Sequence, residues 1–413
     1  MEVKPGYKQT EVGVIPEEWE VCNLKYVSLK ITDGDHVTPK REINGYYLLS
    51  ARNVLNGRID VSDVDYVGPA EYQRMKQRCV PEAGDILISC SGTIGRVAVV
   101  PPGFECVLVR SAALAKVDHA LADGVFLQFW LQGRRAQGQI ASSVNQGAQP
   151  NLFLNHIERL TCPKPRLPEQ HAIAEALSDV DGLLGGLDRL IAKKRDLKQA
   201  AMQQLLTGQT RLPGFTGEWE VKRLGELADI RSGGTPSTTD GCFWNGNIPW
   251  CTPTDITALS GHKYLGATTR TITQEGLAAS SAEIIPARSV VMTSRATIGE
   301  CAINTIPLST NQGFKNFVPF GVTDAEFLYY LLTTQKQGFI SLCGGSTFLE
   351  IGKTQLSTFA VRLPAMEEEQ VAIAAVLSDM DAELAALEAR RDKTRALKQA
   401  MMQELLTGRT RLV

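Results

Sequence analysis

The residues of this chain that could carry out chemistry form incomplete patterns. Residues 351–354 have the sequence Ile-Gly-Lys-Thr, the end of a phosphate-binding loop, but the first glycine of such a loop would fall at Thr347. Glu220 and Lys222 have the Glu-x-Lys spacing of some nucleases, whereas the matching position near the N-terminus is Cys22 instead of lysine. We therefore expect no catalytic residues in this chain.

Metal binding is not indicated either. The five histidines lack the spacing of a metal site, and the nine cysteines occur singly, without a Cys-x-x-Cys pair. Scattered cysteines of this kind fit a reducing cytoplasm. No apolar run approaches the roughly 18 residues of a membrane span, and the N-terminal residues lack an apolar signal core. We expect a cytoplasmic chain with no metal site and no contact with a membrane.

The charge of the chain limits the ligands that it can bind alone. The formal net charge is −2 at pH 7, and each globular segment defined below has nearly equal numbers of basic and acidic residues. Domains that bind nucleic acids are usually basic, because contacts to phosphates dominate their affinity. Any affinity for DNA must therefore come from a locally basic face or from partner proteins.

The chain contains an internal duplication. The segment that begins at Gln170 (QHAIAEALSDVD) recurs at Gln370 (QVAIAAVLSDMD), and the match continues without a gap to Leu212 and Leu412. A long repeat at a fixed spacing indicates duplicated structural units. The order is globular segment, helical segment, globular segment, helical segment, and the predicted domains are residues 1–166, 167–212, 213–362 and 363–413.

Both helical segments have the apolar periodicity of a coiled coil, with spacings that alternate between four and three residues. A helix from residue 170 to 207 would be about 55 Å long. A core helix or a homodimeric zipper would show the same pattern. The duplication lets the two helices of one chain pair with each other, which is the interpretation that we favour. The predicted pairing positions are Ile173, Leu177, Val180, Leu184, Leu187, Ile191, Ile373, Leu377, Met380, Leu384 and Leu387.

Each globular segment mixes signals for strands and helices. Residues 84–100 and 287–303 each predict two strands joined by a polar turn. Residues 123–140 and 324–340 each predict an amphipathic helix that begins at an aspartate N-cap. The predicted fold class of both segments is therefore α+β.

Several of these motifs resemble those of one known family. Ser232–Ile256 (SGGTPSTTDGCFWNGNIPWCTPTDI) and Ser309–Phe317 (STNQGFKNF) resemble a recurrent type of target-recognition domain, and the duplicated LKQAxMQxLLTGxTRL segments resemble the repeated helical regions of the same proteins. The chain thus resembles the specificity subunit of a type I restriction-modification enzyme over nearly its whole length. The first globular segment keeps Ser91–Gly95 but lacks the Gly-Gly-Thr-Pro-Ser motif, so the resemblance implies a different target sequence for each half.

The resemblance also implies a fold and a set of partners. The fold would be α+β, with two globular target-recognition domains separated by two long helices that pair as an antiparallel coiled coil with internal two-fold pseudosymmetry. Each domain would bind one part of a split, asymmetric target in double-stranded DNA, without chemistry. The helices would set the spacer and dock two methyltransferase subunits, and restriction subunits would join them. S-adenosylmethionine and Mg-ATP are expected on the partner subunits, with no cofactor on this chain.

Reading of bases requires hydrogen-bonding side chains on exposed loops. Side chains of the required types occur in predicted loops of both globular segments, where each of them could equally be a solvated turn residue. In the first segment the candidates for DNA contact are Lys40, Arg41, Arg52, Asn53, Arg96, Gln146 and Asn151. In the second segment the candidates are Thr252, Thr254, Asp255, Arg295, Asn311, Gln312 and Lys315.

Other functions are compatible with the same sequence. The chain could be a DNA-binding adaptor of similar build that serves another machine. It could also be a scaffold that joins two protein partners through its helices and binds no DNA, and an enzyme with an unrecognised active site is a third alternative. Gel-shift measurements with and without a methyltransferase partner distinguish the specificity subunit from the adaptor and the scaffold.

Overall fold

A computed structural model of the chain describes residues 4–144, 150–343 and 349–412. The chain divides into two compact units, and each combines residues from both copies of the duplicated sequence. The first unit is formed by Met1–Asp188 with Ala389–Val413, and the second is formed by Arg189–Glu388. These units divide the chain within the helical segments, whereas the predicted domain boundaries lie at the ends of those segments and stay predictions.

The first unit consists mainly of short strands and short helices. Its strands are β1 (Tyr7–Thr10), β2 (Gly13–Pro16), β3 (Glu20–Asn23), β4 (Ser28–Asp33), β5 (Arg41–Glu42), β6 (Tyr46–Leu49), β7 (Val54–Leu55), β8 (Arg58–Ile59), β9 (Asp65–Val67), β10 (Ile86–Ser89), β11 (Val97–Val99), β12 (Cys106–Leu108), β13 (Ala112–Val117) and β14 (Thr161–Lys164). Its helices are α1 (Pro69–Lys76), α2 (Gly124–Gln132), α3 (Arg134–Ser143) and α4 (Leu154–Glu158), with the first half of the long helix α5 (Leu167–Leu205) and the second half of the long helix α12 (Glu367–Leu405).

The central strand β10 of the first unit is buried on both faces. It lies in an antiparallel sheet of order β11-β10-β13-β4, and a neighbouring mixed sheet has the order β12-β6-β9-β5. Ile86 and Ile88 pack in one core with Phe126 of α2, while Leu87 packs in a second core with Leu49. Alternate residues of a strand point to opposite faces, so the apolar run of β10 fits a strand that is covered on both sides. The two strands predicted in residues 84–100 are confirmed as β10 and β11.

The second unit repeats this plan. Its strands are β15 (Trp219–Arg223), β16 (Ala228–Ser232), β17 (Trp244–Cys251), β18 (Tyr264–Leu265), β19 (Arg270–Ile272), β20 (Val290–Thr293), β21 (Cys301–Asn304), β22 (Ser309–Thr310), β23 (Phe314–Pro319) and β24 (Ala360–Pro364). Its helices are α6 (Leu224–Leu227), α7 (Pro253–Ala258), α8 (Gln274–Ala278), α9 (Ala325–Thr334), α10 (Lys336–Ser341) and α11 (Lys353–Thr358), with the second half of α5 and the first half of α12 (Glu367–Leu405).

The central strand of the second unit is β20, in a sheet of order β16-β23-β20-β21-β18 beside a smaller sheet of order β19-β17-β22. Val290 and Met292 pack in the core that contains Phe327 of α9, and Val291 packs in a second core with Phe314. The strand pair predicted in residues 287–303 is confirmed as β20 and β21. In both units the polar turn that follows the central strand is therefore held at the end of a buried, inflexible element.

Helices α5 and α12 pair in antiparallel fashion, as predicted. In the first unit, Ile173 and Leu177 of α5 share a core with Leu405 at the other end of α12. In the second unit the roles are exchanged, and Ile373 and Leu377 of α12 share a core with Leu205 of α5. Each helix has 39 residues and is therefore about 58 Å long.

The predicted pairing positions follow the buried side of both helices. Ile173, Leu177, Leu187, Ile191, Ile373 and Leu377 are buried, and Val180, Leu184, Met380, Leu384 and Leu387 are partly buried. Ion pairs flank this seam, such as Lys398 with Asp181 in the first unit (2.6 Å) and Lys194 with Glu383 in the second (2.6 Å).

A buried carboxylate joins the two helices to the globular part of each unit. Glu169 is 1% exposed and accepts a hydrogen bond from the indole N–H of Trp19 (3.0 Å) and one from Arg411 (2.8 Å). In the second unit, Glu369 is 2% exposed and accepts from the indole of Trp219 (3.4 Å) and from Arg211 (2.6 Å). Each of these arginines belongs to the TRL sequence that follows the other long helix. The arginine of each LLTGxTRL motif therefore pairs with the glutamate at the start of the long helix of the other repeat.

A second repeated contact fixes the helix that packs under each central sheet. The side chains of Asp123 and Asp324 accept from backbone N–H groups at the starts of α2 (2.7 Å) and α9 (2.8 Å), which confirms the predicted N-caps. The backbone N–H groups of these aspartates in turn donate to the side-chain oxygens of Gln170 (2.9 Å) and Gln370 (3.2 Å). Among the helices that the structure describes, none is long and apolar enough to cross a membrane.

Two glycines inside α5 generate a prediction about stability. A Cβ atom added to Gly182 or Gly186 would meet no described atom within 4 Å, and the second copy has Ala382 and Ala386 at these positions. We expect Gly182→Ala and Gly186→Ala each to raise the free energy of unfolding by about 1 kcal/mol, because alanine favours the helix and restricts the unfolded chain. Chemical denaturation of the full chain measures the effect.

The matched control is Gly208→Ala. Gly208 has a φ of +71°, and an added Cβ would lie 3.1 Å from the ring of Trp219. This variant should therefore lose stability under the same conditions. An unchanged or lowered stability in Gly182→Ala would contradict this prediction.

Candidate nucleic-acid interface

In the second unit, polar side chains collect at the end of the central strand β20. The backbone N–H of Ser294, directly after β20, donates to the carbonyl of Gly313 (2.7 Å). Arg295 forms a backbone bridge with Glu350, and its guanidinium forms an ion pair with the Glu350 carboxylate (2.9 Å). Both side chains are nearly half exposed. An exposed ion pair contributes little free energy, so another anion can replace this carboxylate at Arg295 at small cost.

The loop before β23 brings two more of the predicted side chains to this region. The side-chain oxygen of Asn311 accepts from the backbone N–H of Gly313 (2.8 Å), and Gln312 is exposed and hydrogen-bonded to the hydroxyl of Thr235. Gly233 lies directly against this loop, because a Cβ at Gly233 would be 1.9 Å from the carbonyl oxygen of Asn311. The Gly-Gly-Thr-Pro-Ser motif therefore needs glycine here for close backbone approach. We call Thr235, Thr252, Arg295, Asn311 and Gln312 the second polar face.

Lys315 lies beneath the second polar face. It is 6% exposed and sits on β23 opposite Met292 of β20. Burial lowers the pKa of its ammonium group; Glu350 opposes this change and Arg295 adds to it. Among the residues that the structure describes, its Nζ donates only to the carbonyl of Phe314 (3.4 Å) and has no carboxylate at ion-pair distance. An anion bound at this face would therefore stabilise a cation that lacks a counter-charge.

Buried hydrogen-bonding atoms without partners lie close to the same residues. Within the described part of the chain, Ser294 Oγ, Ser309 Oγ and Asn316 Oδ1 are buried and have no hydrogen-bond partner. Buried polar atoms in proteins are nearly always hydrogen-bonded, so these three leave unused hydrogen-bonding capacity under the second polar face.

Asp255 has a structural role instead of the DNA contact suggested by its position in the sequence. It is 5% exposed, and its Oδ2 accepts from the backbone N–H (2.7 Å) and hydroxyl (2.8 Å) of Thr252. Its Oδ1 accepts from the backbone N–H and hydroxyl of Thr269 (2.8 Å each). Burial raises the pKa of Asp255, but these hydrogen bonds outweigh burial and hold it below its usual value. Asp255 thus positions Thr252, which is partly exposed, while Thr254 is exposed.

The first unit has the same turn after its central strand β10, but with different side chains. Ser91 follows β10 as Arg295 follows β20, and it forms a backbone bridge with Asn151 where Arg295 bridges to Glu350. The first unit therefore has a neutral pair where the second unit has an ion pair. Arg96, at the other end of the turn, is partly buried. Gln146 lies outside the described residues.

The other predicted side chains of the first unit lie around Asp65. Arg41 and Arg52 both form ion pairs with this carboxylate (3.3 and 3.1 Å), and Lys40 is exposed. Asn53 is 2% exposed, and its amide group donates to two backbone carbonyls (3.0 Å each) and accepts from Ser50. Asn53 therefore supports the loop and has no hydrogen-bonding atom left for a base.

Sequence reasoning missed a charged cluster in the first unit. Asp33 accepts from Arg78 (2.5 Å) and lies 2.7 Å from His36, while Asp35 pairs with Arg74 (2.7 Å). Burial raises the pKa of Asp33, but the hydrogen bonds from Arg78 and His36 hold it below its usual value. The pair of aspartates lies far in sequence from the pair of arginines, so no local motif indicated the cluster.

The described residues contain no group of three or more histidine, cysteine, aspartate or glutamate side chains that could hold a metal ion. The nine cysteines are free, and burial raises the pKa of most of those in the cores, as for Cys79 to about 12.

Comparisons with known proteins agree on one family. A family model described as "Type I restriction modification DNA specificity domain" matches residues 16–191 and again residues 216–395. The chain is 26% identical over 428 residues to the putative type I restriction enzyme MjaX specificity subunit of Methanocaldococcus jannaschii, a match that covers 98% of this chain and 97% of the relative. It is 39% identical over 166 residues to the MjaIX specificity subunit of the same organism, which covers 40% of this chain and 38% of the relative.

Solved structures support the same fold. The type I restriction-modification S subunit from M. genitalium superposes with a TM-score of 0.60 at 15% identity, over 98% of each chain. A structure described as "Structural basis underlying complex assembly and conformational transition of the type I R-M system" also superposes with a TM-score of 0.60, at 20% identity, over 95% of this chain and 99% of that chain.

The hydrogen bonds of Asp255 generate a prediction that depends on pH. We expect Asp255→Asn to lower the free energy of unfolding by about 1–3 kcal/mol at pH 7, because an amide cannot accept all four hydrogen bonds. The pKa of Asp255 is depressed in the folded chain, so its stabilisation is complete above the unfolded pKa of about 3.9 and is lost as pH falls through the folded value. Denaturation at pH 7 and at low pH should show the difference between wild type and variant shrinking in acid.

The control for this experiment is Thr254→Ala, an exposed neighbour on the same helix. It should have no measurable effect on unfolding at either pH. A difference for Asp255→Asn that stayed constant across pH would contradict the assignment of the stabilisation to the charged carboxylate.

Proposed function

Because the chain belongs to the type I restriction-modification DNA specificity family, which its two matched regions establish, we propose that it is the non-catalytic subunit that selects the DNA sequence for such a complex. Each unit binds one part of a split, asymmetric target. The observation that carries this proposal is the repetition of one turn at the end of β10 and β20 with different side chains, Ser91 with Asn151 in the first unit and Arg295 with Glu350 in the second. One scaffold that presents two different sets of donors and acceptors suits a target with two different parts.

The long helices set the spacing between the two parts of the target. A helix of fixed length is a stiff element, and the α5 and α12 pair is locked by buried apolar positions and by flanking ion pairs such as Lys398 with Asp181. One turn of B-DNA is about 34 Å, which is shorter than the roughly 58 Å of either helix. The helix pair also offers the surface on which two methyltransferase subunits dock.

Partner subunits supply the catalysis and much of the affinity. Both globular segments are close to neutral, so the chain alone can neutralise few phosphates. S-adenosylmethionine binds to the methyltransferase subunits and Mg-ATP to restriction subunits. The chain described here contributes discrimination among bases, and it binds DNA weakly until the methyltransferase subunits join.

Arg295 provides the test of this function. The chain is co-expressed with its methyltransferase subunit, and methylated adenines are mapped by single-molecule sequencing to define the split motif. Arg295→Ala should reduce discrimination at one base pair of one half-site by about 1–3 kcal/mol, because one bidentate contact is lost. The other half-site and the assembly of the complex should not change. Absence of any split motif with the wild-type chain would contradict the proposed function, and an equal loss at both half-sites would contradict the assignment of Arg295.

Shortening of both helices tests the role of the helix pair. Residues 188–191 and 388–391 face each other across the pair, with Asp188 placed 3.9 Å from Arg391. Deletion of both segments removes about one turn from each helix, or about 6 Å, and should shorten the spacer by about two base pairs without changing the bases of either half-site. The mapped motif of the variant measures this. An unchanged spacer would show that the helices do not set it.

A further inference from the structure

Arg270 of β19 is held between two tryptophans in the second unit. Its guanidinium carbon lies 3.8 Å from the ring centroid of Trp244 and 5.1 Å from that of Trp250. The two indoles meet edge to face, with centroids 4.9 Å apart and planes at 83°. We call Trp244 and Trp250 the tryptophan platform.

The tryptophan platform is itself fixed in place. Trp244 is 9% exposed and Trp250 is 3% exposed, and each indole N–H donates to a backbone carbonyl at 2.9 Å, of Ser237 and Gly234 respectively. Rings that are buried and hydrogen-bonded cannot reorient without loss of these contacts. The guanidinium that contacts them therefore has a fixed position before any ligand arrives.

The side-chain donors of Arg270 have no partner within the described part of the chain. Among the residues that the structure describes, no carboxylate lies at ion-pair distance from Arg270, and its side chain makes no hydrogen bond. Arg211, Arg231 and Arg295 of the same unit each have a carboxylate partner, whereas Arg223, Arg288 and Arg362, like Arg270, have none among the described residues. The contact with two tryptophans distinguishes Arg270 from these other arginines. Arg270 is nevertheless exposed at the surface. A planar fork of five N–H donors with no internal acceptor suits an external ligand that offers two acceptors side by side.

Arg270 adjoins the second polar face. The preceding residue, Thr269, is held by the same Asp255 carboxylate that holds Thr252. On the other side, the carbonyl of Gly234 that accepts from Trp250 precedes Thr235, which is hydrogen-bonded to Gln312. The backbone connections thus place the platform next to the residues proposed to face DNA.

We propose that Arg270 is a further DNA-binding residue and donates two parallel hydrogen bonds to a pair of acceptors on the duplex. This inference rests on the proposed function of the chain. Two sources on DNA offer such a pair, the O6 and N7 atoms of a guanine in the major groove and two oxygens of one phosphate. Preorganisation by the platform lowers the entropy that the side chain loses on binding.

The stacking also shields the tryptophans from water, and a test must separate this role from DNA contact. Arg270→Met keeps an unbranched apolar cover over the platform and removes every donor. Arg270→Lys keeps the charge and removes the planar fork. The control is Arg288→Met, which changes an exposed arginine that precedes β20 and therefore lies at the opposite end of that strand from Arg295.

The experiment measures binding by the full chain assembled with its methyltransferase subunit. The probes are a duplex that carries the mapped split motif, the set of single-base variants of that motif, and a scrambled duplex, each at several salt concentrations. We expect Arg270→Met to bind the motif about tenfold more weakly than wild type, with an unchanged thermal unfolding midpoint. Arg288→Met should bind as wild type does.

The two variants distinguish the source of the acceptors. A guanine contact is shown by loss of discrimination at one base pair of the second half-site in Arg270→Met. Arg270→Lys should restore this discrimination at most in part, because lysine donates to guanine without the planar fork. A phosphate contact is shown by a uniform loss over all duplexes in Arg270→Met, a salt slope smaller by about 0.9, and partial recovery in Arg270→Lys. Wild-type affinity and salt slope in Arg270→Met would overturn the inference. A wild-type complex that failed to distinguish the motif from the scrambled duplex would overturn the proposed function together with it.

Discussion

The architecture depends on the neutralisation of two buried carboxylates. Glu169 and Glu369 lie at the starts of the long helices, and each is almost fully removed from water. A buried carboxylate without a partner costs several kcal/mol, so each requires the cation that reaches it. That cation comes from the far end of the other helix, Arg411 for Glu169 and Arg211 for Glu369. Antiparallel pairing of the helices is the arrangement that satisfies both carboxylates within one chain.

The repetition and its consequences could be predicted from the sequence because they are encoded in local patterns. The heptad spacing predicted the buried positions Ile173 and Ile373, and the aspartate caps predicted the starts of α2 and α9. The sequence did not predict that each unit combines the first half of one long helix with the second half of the other, because Glu169 and its partner Arg411 are separated by most of the chain. No period or spacing connects residues at that distance.

The candidate interface was less predictable than the fold for the same reason. Residue type and loop position suggested Asn53 and Asp255 as DNA contacts, yet both are buried and use their polar atoms to hold loops. Glu350 and the stacking of Arg270 on Trp244 escaped detection, since each depends on residues brought together by the sheets. Amino-acid type identifies which side chains can bind a base, whereas burial decides which of them have a free donor or acceptor.

Because the first unit contains the second half of α12, the chain folds in a particular order during its synthesis on the ribosome. The second unit is one continuous segment, Arg189–Glu388, whereas the first unit needs Ala389–Val413 to complete it. At about 5–20 residues per second, roughly ten to forty-five seconds pass between the synthesis of residue 188 and that of residue 411. During that interval Glu169 has no Arg411, and Ile173 and Leu177 have no Leu405 to cover them. The first unit is therefore translated first but completes its fold last.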